Sequence, residues 1–124
     1  MSAFRTAFAG ADIAALEQIL HPEVRFCSPA VHTPYAGREV TLVVLDAVTS
    51  VMEAFAYVDE WVEPGRELLR FTASIDGLQL EGVDLLEIDA DGLVTDLTVM
   101  IRPLRGLERL TRRVSEALES GEGR

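Results

Sequence analysis

Hydrophobic positions along the chain change period several times, and each change marks an element. Phe4 and Phe8 stand at helical spacing within Ser2 to Phe8, and Gly10 breaks that first helix. Asp12 is suited to cap a second helix, with Ile13, Leu16, Ile19 and Leu20 on one face. His21-Pro22 ends it, because a proline disfavours helix at the residue before it. From Val24 to Ser28 the period falls to two, which predicts a strand with Val24, Phe26 and Ser28 on one face and Arg25 and Cys27 on the other. Pro29 to Gly37 reads as an irregular loop.

Arg38 to Phe55 is ambiguous. Val40, Thr41, Val43 and Val44 favour strand, whereas Leu45, Val48, Met52 and Phe55 keep helical spacing. No turn residue interrupts the segment, and its length favours one long helix ending at Phe55. A meander follows. Tyr57 to Val62 alternates, Glu63-Pro64-Gly65-Arg66 suits a type II turn, and Leu68 to Ile75 closes on Asp76-Gly77. Leu78 to Ile88 and Leu93 to Ile101 flank Asp91-Gly92; two Asp-Gly turns between alternating runs are strong hairpin signals. Pro103 opens a last helix with Leu107, Leu110, Val114 and Leu118 as its apolar stripe. Helices segregated from an antiparallel meander define an α+β domain over 1–119, followed by a polar tail over 120–124. A curved sheet wrapped over helices would enclose a pocket.

Composition narrows the partners. With 124 residues and 48% apolar content, the chain is long and apolar enough for one domain with a real core. No apolar run approaches the roughly 20 residues of a membrane span. Eleven basic against 21 acidic residues give a formal charge of −10, which disfavours nucleic acid and anionic membranes as partners. The single cysteine, Cys27, can form neither an internal disulfide nor a metal cluster, and a cytoplasmic location is the simplest expectation. Asp89-Ala90-Asp91-Gly92 matches the start of a calcium loop but lacks the later glutamate, so a turn is expected. No metal or cofactor is expected.

Four stretches carry a resemblance to the nuclear transport factor 2-like (SnoaL-like) superfamily. They are Ala7 to Leu16, His21 to Phe26, Pro34 to Glu39, and Gly82-Val83-Asp84 with Asp89 to Val94. Their order and spacing cover roughly 2–119. Ser28-Pro29 through Pro34, Asp59-Glu60-Trp61 and Val99 to Leu104 resemble an uncharacterised bacterial branch of it. The resemblance implies a cone-shaped, cystatin-like fold with a strongly curved sheet around a pocket. It also implies a homodimer through the outer face of the sheet. The superfamily holds ketosteroid isomerases, polyketide cyclases, epoxide hydrolases, dehydratases and non-catalytic binding domains, so the fold does not fix the function.

Asp84 is the first chemical candidate. It shares a face with Leu80, Gly82 and Leu86, and on a concave face its carboxyl would be desolvated and protonated, able to donate to a developing oxyanion. The resembling ketosteroid isomerases carry an acid at the matching position. The alternatives are a structural acid satisfied by the backbone or by water, or an acid that simply faces outward. The positions matching those enzymes' carboxylate base and tyrosine donor hold Ser28 and Phe4, which disfavours their mechanism. Ser28 remains a candidate for binding, or a turn serine. His32, in the loop, is the candidate base, with Tyr35 beside it as a donor; a plain surface histidine is the other reading. The epoxide hydrolase arrangement of two aspartates and an arginine is not evident around Asp84. Phe26, Met52, Trp61, Phe71, Leu97 and Ile101 are expected to form a large apolar wall, as core or as ligand contacts. Three classes of function stay open: an enzyme on a small hydrophobic carbonyl compound, a module that binds a small hydrophobic ligand, and a dimeric scaffold whose pocket is filled by its own side chains.

Overall fold

The computed structural model describes residues 2–120. The elements run α1 (Ala3–Ala9), α2 (Ile13–Ile19), β1 (Leu20–Cys27), β2 (Tyr35–Ala36), α3 (Arg38–Val51), β3 (Glu53–Glu63), β4 (Arg66–Ile75), β5 (Leu78–Ile88), β6 (Val94–Arg102) and α4 (Leu104–Ser120). The expected α+β order is present. Positions 121–124 of the expected tail lie outside the described residues, and Ser120 is the last residue of α4.

Local chemistry sets the boundaries. Ser2 accepts a hydrogen bond from the Arg5 N–H and Asp12 one from the Ala15 N–H, so each short helix starts on a side-chain cap. At Asp76-Gly77 both residues take positive φ, 48° and 83°, as the tight turn between β4 and β5 requires. Gly65, at φ 85°, fits the turn foreseen between β3 and β4. Asp89 accepts from the N–H groups of Asp91 and Leu93, which makes that segment a turn built on its own carboxylate.

Three elements differ from expectation. The second helix gives way to strand at Leu20, so β1 takes in His21-Pro22, which lie in the irregular stretch between its pairings with β6 at Leu20 and at Arg25. The loop contains β2, whose two residues pair with Arg25 and Phe26. The long helix stops at Val51, because Met52 is extended and Ala54 takes φ 52°, and Phe55 already belongs to β3. Met52 and Phe55 still point inward, which is why their spacing passed for helix.

The six strands lie in the order β2-β1-β6-β5-β4-β3. The meander β3 to β6 is antiparallel, whereas β1 joins β6 in parallel, so the sheet is mixed rather than wholly antiparallel. Bulges interrupt the β3–β4 ladder between Glu53 and Ala56 and again between Tyr57 and Asp59. An extra residue on one strand increases local twist and bends it, and this curves the outer end of the sheet over the helices. A main core joins α1, α2 and α3 to the concave face, and a second cluster seats α4 through Leu110 and Ala117 on Ala73, Ile75 and Leu80.

Candidate functional site: a buried acid at an apolar cavity

The concave face is not filled. Between the sheet, α1, α3 and α4 the side chains leave a cavity of about 160 Å³. Phe4 and Phe8 of α1, Phe55 of β3 and Phe71 of β4 line one side; Val44 and Val48 of α3, with Met52 just beyond its end, line another. Leu97, Val99 and Ile101 of β6 form the floor, and Leu107, Leu110, Thr111 and Val114 of α4 form the roof. The rings lock one another. Phe55 meets Phe8 edge-on at 5.2 Å and Tyr57 edge-on at 4.8 Å, spacings at which aromatic pairs attract.

Asp84 lines this cavity and is 4% exposed. Alternation along β5 puts it inward with Leu80, Gly82 and Leu86, and the register places it between Leu69 of β4 and Val99 of β6. The Tyr57 hydroxyl donates to its Oδ2 at 2.8 Å. Its other oxygen has no protein partner among the described residues. Burial pushes the Asp84 carboxyl up to about 7, although the hydrogen bond from Tyr57 acts the other way. Burial raises the Tyr57 phenol as well, helped by the Asp84 charge and the hydrogen bond, so Tyr57 stays a donor. Arg5, 5.8 Å from the centre of the Tyr57 ring, opposes that rise without cancelling it. Tyr57 therefore fixes one edge of the carboxyl and leaves the other edge to the cavity.

Tyr57 was not a candidate from sequence. It stands two strands from Asp84, in the row Tyr57, Phe71, Gly82, and reaches diagonally over β4. A tyrosine at an inward position near an acid-bearing strand was the available signal, but only the register joins the two.

Seven expected residues line the cavity: Phe26, Ser28, Tyr35, Met52, Phe71, Leu97 and Ile101. Tyr35 stacks on Phe26 at 5.8 Å across the β1–β2 pair. Ser28 accepts from the N–H groups of Ala30 and Val31 at 3.3 Å, so it is the turn serine as well as a wall residue. Two expected residues lie elsewhere. His32 is exposed and does not line the cavity; Pro29, Ala30 and Val31 face the mouth, and the chain then turns outward. Trp61 is 58% exposed on the convex face. Strict alternation from Tyr57 would turn it inward, but Val58 is the extra residue of the bulge, and one residue of slip sends the following positions to the other face. Among the described residues no group of three or more His, Cys, Asp or Glu side chains could hold a metal ion, and no helix is long and apolar enough to cross a membrane.

Known structures share this fold. A crystal structure described as a steroid delta-isomerase from Pseudomonas aeruginosa is 33% identical, with a TM-score of 0.90, and the match covers 98% of this chain and 90% of that one. The chain belongs to the nuclear transport factor 2-like, ketosteroid isomerase-like superfamily. A second superfamily member, an uncharacterised protein with a cystatin-like fold from Silicibacter pomeroyi, is 25% identical over 98% of this chain and 91% of its own, with a TM-score of 0.87. A third, of ketosteroid isomerase-like fold from Catenulispora acidiphila, is 14% identical over 88% and 89%, with a TM-score of 0.65, and shares the fold alone. No family model matches the chain, and no curated protein does either. Within the superfamily frame, Phe4 and Ser28 both reach the cavity. There they present a phenyl ring and a hydroxyl.

Proposed function

We propose that the protein binds a small hydrophobic carbonyl compound in the cavity and that Asp84 supplies acid chemistry to its oxygen. The observation that carries this reading is the Tyr57–Asp84 pair: a carboxyl set in an apolar wall, held at one oxygen and open to the cavity at the other. A carboxyl kept protonated by its surroundings can donate to a carbonyl oxygen as negative charge develops there. The isomerase description of the Pseudomonas aeruginosa relative fits proton transfer of this kind.

Asp84 is the one carboxylic acid among the described residues that line the cavity. With His32 turned outward, water at the mouth is the remaining proton acceptor. In enolisation the carbonyl oxygen takes the Asp84 proton, an α-carbon proton leaves to water, and the C–H electron pair becomes a carbon–carbon double bond. The reverse step returns the proton to Asp84.

This is tested by exchange of the α-protons of a small ketone in D2O, followed by NMR. The wild-type protein is expected to accelerate exchange. Asp84→Asn keeps a neutral donor but no transferable proton, so it should retain binding within a few-fold and lose at least tenfold in exchange. Binding without acceleration in the wild type would leave a non-catalytic binding module and remove the acid role.

A second copy of the chain is the proposed partner, seated on the outer face of the sheet. Trp61, Leu68, Leu85 and Thr98 form one row across that face, and Met100, 54% exposed, lies in the next. The row ends on β3 at Trp61, a large exposed aromatic, and exposed apolar side chains grouped on one face are the usual mark of a contact surface. Sedimentation at tens of micromolar should find a dimer, and Trp61→Arg should weaken it at least tenfold. A wild-type chain that stays monomeric at high micromolar concentration would sink the pairing.

A further inference from the structure

We propose that the ligand is a neutral, hydrogen-bond-accepting molecule of single-ring size, about six to ten heavy atoms, and not a fused-ring compound. The proposal deepens the reading above and rests on the cavity being a ligand site. Size is its first argument. The cavity holds about 160 Å³, and an engineered apolar cavity of about 150 Å³ accommodates one benzene ring.

The deep end cannot widen cheaply. Phe8, Phe55, Tyr57 and Phe71 interlock there, with ring centres 4.8 to 6.5 Å apart. Phe71 in turn lies directly against the backbone at Gly82, so it has no room to retreat. Displacing one ring would unpack its neighbours, and closely packed interiors resist that. A longer body would have to leave through the mouth, past Val31, which is itself exposed.

Charge is the second argument. No Lys or Arg side chain lines the cavity among the described residues, so an anion would be desolvated without a partner. A cation could meet aromatic faces, but its one charged partner on the lining would be an ionised Asp84, and both charges would then be buried among aromatic and aliphatic side chains. Below about pH 7, where Asp84 is protonated, a neutral oxygen acceptor meets the free edge of its carboxyl at no such cost. Ser28, Thr111 and Ser115 are the other small polar residues of the lining, and the hydroxyls of Ser28 and Thr111 already bond to the backbone.

The test is a calorimetric or NMR titration of the wild-type protein with five probes: acetophenone, toluene, benzoate, benzylamine and androst-4-ene-3,17-dione. Acetophenone is expected to bind at least tenfold more tightly than each of the others. In Asp84→Leu the advantage of acetophenone over toluene should disappear while toluene binding persists. Tighter binding of the steroid would overturn the size limit and leave the carbonyl site standing. Tighter binding of benzoate or benzylamine would overturn the neutrality. Failure of all five to bind would overturn both this proposal and the cavity's role as a ligand site.

Discussion

Between pH 4 and pH 7 the folded protein is expected to lose stability, by on the order of 4 kcal/mol, and Asp84→Asn is expected to abolish most of that loss. The Asp84 carboxyl is raised from an ordinary 3.8 to about 7, chiefly by burial. The native state therefore holds this proton more tightly than the unfolded chain does. Below the unfolded value both states are protonated, and burial costs no charge. As pH rises from about 4 towards 7 the unfolded chain releases the proton and the native state does not, so unfolding gains. Above about 7 both are ionised, and the loss levels off. At about 1.4 kcal/mol per unit, a displacement of roughly three units gives the magnitude stated. Asp76 and Glu81 behave oppositely: hydrogen bonds from Arg113 and Arg109, and from Arg102 and Arg70, hold their carboxyls below the usual range. Their stability is lost as pH falls, so it acts at the acid end, below the window where Asp84 titrates. Urea unfolding of both proteins at pH 5 and pH 8 checks the prediction. A wild-type slope no steeper than that of Asp84→Asn would mean that the carboxyl is solvated in solution and the site is open to water.

The titration depends on a position that could be read from sequence, and its partner could not. β5 spans Leu78–Ile88, the run bounded by the two Asp-Gly turns; its alternation grouped Asp84 with Leu80, Gly82 and Leu86, and the structure turns that face inward. Turn chemistry and period two are local properties of the chain, so they survive without knowledge of neighbours. The bulge at Val58 is a property of pairing: nothing in Tyr57-Val58-Asp59 marks which residue β4 will skip. That one skipped residue separates Tyr57, which reaches Asp84, from Trp61, which faces out. The same limit hid β2, which exists only because Tyr35 and Ala36 meet β1. His32 shows a different limit, because a loop residue has no period from which its direction can be inferred.

Gly82→Ala is expected to destabilise the protein by about 3 kcal/mol, a large effect for one methyl group. Gly82 is in the middle of β5, and Phe71 on β4 and Ile101 on β6 flank it in register. A Cβ there would stand 2.6 Å from the Met100 carbonyl oxygen and 2.9 Å from Cε2 of Phe71. The ring can tilt, but the carbonyl belongs to β6, where it is fixed by the β5–β6 ladder. Glycine in a strand ordinarily weakens it, so its presence here reflects the close approach of the ring and the neighbouring strand. Phe71→Leu in the Gly82→Ala background should return only the part of the loss due to the ring. The rest should remain, because trimming a side chain does not move a backbone oxygen. A tilted Phe71 would also enter the cavity, so Gly82→Ala should lose affinity for acetophenone in proportion to the volume taken. Urea unfolding measures the first effect and titration the second. A Gly82→Ala protein within about 0.5 kcal/mol of wild type, with ketone binding intact, would show that the sheet yields at this point. The rigid aromatic end on which the size limit rests would then not exist.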